Sequence, residues 1–66
     1  MKQFFKKGDI VRLYSKPTVY TVASVGDIGR VQSVYEHSGI VRYIVYFPDY
    51  GVDQIIHQPH LTHVKE

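Results

Sequence analysis

Apolar and polar positions alternate most clearly from Ile40 to Phe47, which reads Ile-Val-Arg-Tyr-Ile-Val-Tyr-Phe and is closed by Pro48-Asp49-Tyr50-Gly51. β-Branched and aromatic residues ended by such a turn predict a strand, and the apolar content predicts a central one. On a period of two, Val41, Tyr43, Val45 and Phe47 share a core-facing side, while Ile40, Arg42, Ile44 and Tyr46 share the other. The second side reads as an amphipathic outer wall or a binding surface.

The remaining pattern supplies partners for that strand. Gly8-Asp9 opens a strand over Ile10 to Tyr14, with Val11 and Leu13 inward. Ser15-Lys16-Pro17-Thr18 reads as a turn, and Val19 to Val25 is either a hairpin arm or a long extended loop. Gly26-Asp27-Ile28-Gly29 is a second break, its two glycines able to take φ values other residues avoid. Arg30 to Tyr35 is the next strand. Val31 and Val34 lie three apart there, which calls for a bulge or strong local coiling if both are buried. Glu36-His37-Ser38-Gly39 turns the chain into the central strand. Val52 to His57 returns as a partner whose faces are both mixed, so Gln54 points either in or out. Gln58-Pro59-His60-Leu61 suits one 3-10 turn, and Thr62-His63-Val64 a short last strand.

No helical periodicity exceeds one turn, and there is no internal repeat. Five short strands with one 3-10 turn before the last predict an all-β, strongly bent antiparallel barrel. At 66 residues the chain is one domain, close to the size below which a core needs reinforcement. The barrel spans residues 8–66, preceded by a basic arm over residues 1–7 whose Phe4 and Phe5 are expected to cover one end of the core.

Composition narrows the chemistry only a little. There is no cysteine, so disulfides and thiolate ligands are excluded and a reducing cytoplasm is the expected compartment. No apolar run is long enough for a membrane span. Net charge is +2 and the pI about 9, compatible with nucleic acid or an acidic protein. His57, His60 and His63 recur every three residues, and converging imidazoles bind metal. Pro59 and the change from strand to 3-10 turn separate them, so they read as polar loop surface, with no metal or other cofactor expected. Ser and His are scattered without nucleophile-elbow spacing, and the carboxylates sit mainly in turns, so no enzyme is expected.

The motifs Gly8-Asp9-Ile10-Val11-Arg12, Gly26-Asp27-Ile28-Gly29-Arg30-Val31, Tyr43-Ile44-Val45-Tyr46-Phe47 and Leu61 ahead of Val64 together resemble an SH3-like small barrel across nearly the whole chain. Among such barrels they look most like the electron-transport accessory type: the photosystem I PsaE subunit, the ferredoxin–thioredoxin reductase variable chain and NifZ-type proteins. That resemblance implies a non-catalytic barrel docking on a redox or metallocluster protein. Phe47-Pro48-Asp49-Tyr50-Gly51 also resembles the Tudor turn, which would make Tyr50 a cage wall, with Tyr14 or Tyr20 as its partner; the Tudor opening is absent. Gln54-Ile55 is similar to the Val-Gln-Ile-Tyr segment of type II dihydrofolate reductases, but Asp53 and Ile56 replace its first and last residues and Leu13 stands where a lysine is expected.

If Val11, Val31 and Tyr43 point inward, then Arg12, Arg30 and Arg42 point outward, beside Tyr14, Ile44 and Tyr46. Arg and Tyr concentrate at protein interfaces because each joins an apolar body to directional hydrogen bonding. The plainer reading is a solvated wall. The expectation is therefore a non-enzymatic accessory that docks on another, larger protein. Arg12, Arg42, Ile44 and Tyr46 are the first contacts, Arg30, Tyr14 and Tyr50 the second. The same basic and aromatic face suits single-stranded nucleic acid as the alternative, and a reductase-like oligomer comes third.

Overall fold

A computed structural model describes residues 3–64, in the order β1 (Ile10–Leu13), β2 (Ile28–His37), β3 (Ile40–Phe47), β4 (Val52–His57), a 3-10 turn (Gln58–His60) and β5 (Leu61–His63). All pairings are antiparallel, and the sheet order is β4-β3-β2-β1-β5. The chain is thus the small five-stranded all-β barrel that its pattern predicts, with the 3-10 turn carrying it from one sheet edge to the other. Met1, Lys2, Lys65 and Glu66, in the expected arm and at the barrel's end, lie outside the described residues.

β2, not β3 as expected, is the middle strand of the sheet; β3 lies between β2 and β4, and its even spacing of large apolar residues fills the interior. Tyr43, Val45 and Phe47 are fully buried and Val41 nearly so. Val11, Leu13, Val31, Ile56 and Leu61 meet them from the other strands, with Ala23 from the long loop and Phe5 from the arm. β2 bends to serve both halves: Ile28–Arg30 pair with β1, while Arg30–His37 pair with β3. The register slips between Val31 and Ser33, so Gln32 is the extra residue of a bulge. That slip is what turns both Val31 and Val34 toward the core despite their spacing of three.

Two glycines act for different reasons. Ser38 and Gly39 both take positive φ, 52° and 78°, in the two-residue turn joining β2 to β3, so the expected four-residue turn is shorter and Glu36 and His37 belong to β2. Gly29, expected as a turn residue, lies inside β2 and serves close approach instead. A Cβ there would fall 2.5 Å from Val45 Cγ1 and 2.8 Å from the Tyr46 carbonyl oxygen.

Residues 14–25 form a loop and no strand. Its ends are drawn together by Leu13 N–H donating to the Asp27 carbonyl at 2.9 Å and Gly26 N–H donating to the Leu13 carbonyl at 2.8 Å. Buried Thr21 and Ala23 alternate with exposed Val22, which produces strand-like periodicity where no partner strand exists. Val22 N–H donates to Gln54 Oε1 at 2.8 Å. Pairing of Val45 with Gln54 and of Tyr43 with Ile56 fixes β4, turning Gln54 and Ile56 to the inner side and Asp53, Ile55 and His57 outward.

The N-terminal arm is docked through one buried hydroxyl. Tyr43 Oη accepts from Phe4 N–H at 3.2 Å and Phe5 N–H at 3.3 Å, and donates to Gln58 Oε1, which also accepts from Phe4 N–H at 3.0 Å. Phe5 packs edge-on against the Tyr43 ring, centroids 5.3 Å apart, and 4.5 Å from the His63 ring. Phe5 therefore covers the barrel end as expected. Phe4 does not, since its ring remains mostly exposed.

Gly29→Ala should lower unfolding free energy by about 2 kcal/mol, the scale of overpacking against backbone, and a urea titration reads this as a lower midpoint. Tyr43→Phe keeps the ring but removes the hydroxyl that the two arm amides and Gln58 share. A loss of about 1–3 kcal/mol is expected, with faster amide exchange at Phe5 than in the parent.

Candidate functional surface

Pairing register builds the outer wall rung by rung. Arg30 stands between Ile10 on β1 and Tyr46 on β3, and Tyr46 stands opposite Asp53 on β4. The next rung sets Ile44 between Ser33 and Ile55, and the third sets Arg42 between Tyr35 and His57. Arg30, Arg42, Ile44 and Tyr46 therefore share one continuous face of β2, β3 and β4. Arg12 is separated from it: it lies across from Ile28, one strand further round, with Thr62 on its other side.

The other two expected contacts lie elsewhere. Tyr14 follows β1, mostly exposed, where its N–H donates to the His60 carbonyl at 2.7 Å. Tyr50 is in the β3–β4 turn, and its hydroxyl donates to Asp27 Oδ2 at 2.5 Å. That bond ties the turn to the end of the long loop, because Asp27 Oδ2 also accepts from Ser24 N–H at 2.8 Å.

Several wall residues went unnamed in the sequence reading. Tyr35 and Ile55 are exposed beside Arg42 and Ile44, and Ile10, Ile28 and Pro48 join Arg30 and Tyr46 around a shallow groove of about 200 Å³. Tyr35 could have been read from the sequence. Once Val34 points inward after a bulge, the next residue must point outward. Ile55 could not, because only the β3–β4 register fixes its face.

A larger cleft of about 540 Å³ opens at the far end of the sheet. Phe4, Ile40, Val41 and Pro59 line it with mostly apolar surface, beside His57 and Gln58. Its apolar lining and few polar groups fit an apolar side chain better than a charged ligand.

The histidine series disperses. Arg42 Nε–H donates to His57 Nε2 at 3.1 Å, which requires neutral His57 with its proton on Nδ1. Ser15 Oγ and His60 Nδ1 share a hydrogen bond of 2.6 Å, and the His63 ring lies against Phe5. Among the described residues no three His, Asp or Glu side chains are grouped to hold a metal ion. No helix among them is long and apolar enough to cross a membrane.

Comparison with protein families, curated proteins and solved structures gives no significant match to this chain.

Hydrogen bonding from Tyr50, reinforced by Ser24 N–H, holds the Asp27 carboxyl below the ordinary carboxylate range, and the same bond raises the Tyr50 phenol. Asp27's contribution to stability is therefore complete above the ordinary carboxylate value and is lost as pH falls through its own lower value. Tyr50's is complete below the ordinary phenol value and is lost as pH rises through its raised one. Tyr50→Phe should move the Asp27 titration upward by NMR; an unmoved Asp27 would exclude the bond in solution.

Proposed function

We propose that this barrel is a non-catalytic docking module that binds another protein through the outer wall of β2, β3 and β4. The observation that carries the reading is the alternation of cation and apolar body along that wall. Tyr46 lies beside Arg30, Ile44 beside Ile55, and Arg42 beside Tyr35. Tyr46, Ile44 and Arg42 are half-buried by their neighbours, so each presents a partly immobilised side chain and loses less freedom on binding than a free surface residue. Arg42 is held further by its bond to His57. The electron-transport accessory resemblance favours a redox or metallocluster protein as the partner.

Nucleic acid is the second reading. The same wall supplies guanidinium groups for phosphate and Tyr35 and Tyr46 for stacking, and the net charge is positive. Asp53, opposite Tyr46, counts against it by placing a carboxylate in the path of a phosphate backbone.

Tagged protein should recover a partner from nuclease-treated lysate, and an Arg42→Glu/Tyr46→Ala variant with an unchanged amide spectrum should lose it. A partner retained by the variant would move the interface off this wall. Recovery of nucleic acid alone, from untreated lysate and released by salt, would replace the proposal with the second reading.

A further inference from the structure

The sheet ends on one side at β5, three residues long, and on the other at β4, six residues long. Among the described residues β4 pairs only with β3, and no loop backbone group bonds to its backbone; the Val22 N–H bond goes to the Gln54 side chain. Alternate residues of an antiparallel strand turn N–H and C=O to opposite edges, so half of β4 presents these groups to the open side. Devices that protect an edge are sparse here. β4 has no proline, lysine or bulge, and Ile55, beside its midpoint, is 59% exposed.

The geometry points to antiparallel self-pairing of β4 with β4 of a second copy of this chain, about a two-fold axis at Ile55. The polar and apolar groups along the strand select that occupant and register. Asp53, Ile55 and His57 share the outward face, with the carboxylate at one end and the Arg42–His57 pair at the other. Centred on Ile55, each Asp53 meets His57 of the second copy and the two isoleucines meet each other. Centring on Gln54 sets Asp53 against Ile55, and a one-residue slip sets outward residues against inward ones. The proton placement agrees as well. His57 Nε2 is occupied by Arg42, so Nδ1 carries the hydrogen that an opposing Asp53 carboxylate accepts. A hydrogen-bonded polar pair and an apolar pair directly across a ladder both stabilise it.

Self-pairing goes beyond the docking proposal, since it uses the β4 edge and leaves the β2 and β3 part of the wall free. It would join two walls into one surface carrying Arg42 and Tyr46 from each copy. A six-residue edge buries much less than the ~1,600 Å² typical of stable complexes. The dimer should therefore be weak and dependent on concentration.

Sedimentation velocity of the full chain from micromolar to millimolar concentration should show a monomer–dimer equilibrium, with amide shifts on dilution confined to β4. Ile55→Lys, at an exposed position, should raise the dissociation constant about tenfold, since it removes an apolar pair and opposes like charges. Asp53→His alone should weaken the dimer by removing the acceptor, and Asp53→His/His57→Asp should restore it, because an imidazole N–H and a carboxylate again face one another. A monomer at every concentration would overturn the inference. So would a dimer insensitive to Ile55→Lys, or shifts centred on another strand.

Discussion

With so few residues, this chain encloses a core only because β2 belongs to both halves of the barrel. Its first residues pair with β1 and its remainder with β3, and the direction changes at the Gln32 bulge. The bend brings β2 against β3 so closely that only hydrogen fits at Gly29, beside Val45 and the Tyr46 carbonyl. Every other pairing follows from that crossing. β1 is positioned by the near half of β2, β5 by β1, and β4 by the strand that the far half of β2 supports.

Crowding of this kind leaves little tolerance for an unsatisfied polar group, yet the largest buried side chain is a tyrosine. Tyr43 is tolerated because its hydroxyl emerges where the arm and the 3-10 turn meet. Its oxygen accepts two arm amides and its hydrogen goes to Gln58, so one hydroxyl fastens both the arm and the turn to β3. Phe5 then seals the end by packing on the ring of the same tyrosine. The buried hydroxyl thus specifies where the arm lies, and apolar packing completes the closure.

The outer face inherits its order from the inner one. Because the core requires Val41, Tyr43, Val45 and Phe47 on one side of β3, Arg42, Ile44 and Tyr46 must appear on the other at regular spacing. Neighbouring strands add Arg30 and Tyr35 from β2 and Ile55 from β4 at matched heights. A wall of alternating cation and apolar body is therefore a geometric result of filling the core. It is also the kind of surface a partner can use, as an open face or, at the β4 edge, as a strand to be extended.

The sequence by itself determined the all-β class, the number of strands, the inward residues of β1 and β3 and the 3-10 turn, because each is written in local periodicity or turn chemistry; the spacing of Val31 and Val34 left a bulge or strong coiling open, and the pairing register decided for the bulge. Tertiary structure decided what depends on pairing. The segment from Val19 to Val25 looks strand-like yet finds no partner, and Gly29 proves to be a packing glycine rather than a turn residue. Gln54 turns inward and Ile55 outward, a choice that a strand with two mixed faces leaves open. Among the expected contact residues, register gathers Arg30, Arg42, Ile44 and Tyr46 and separates Arg12, Tyr14 and Tyr50. The three histidines of the 57–63 series share a regular spacing but go to different partners. Spacing along a chain fixes which way a side chain faces within one strand; which strands lie beside it is a property of the folded sheet alone.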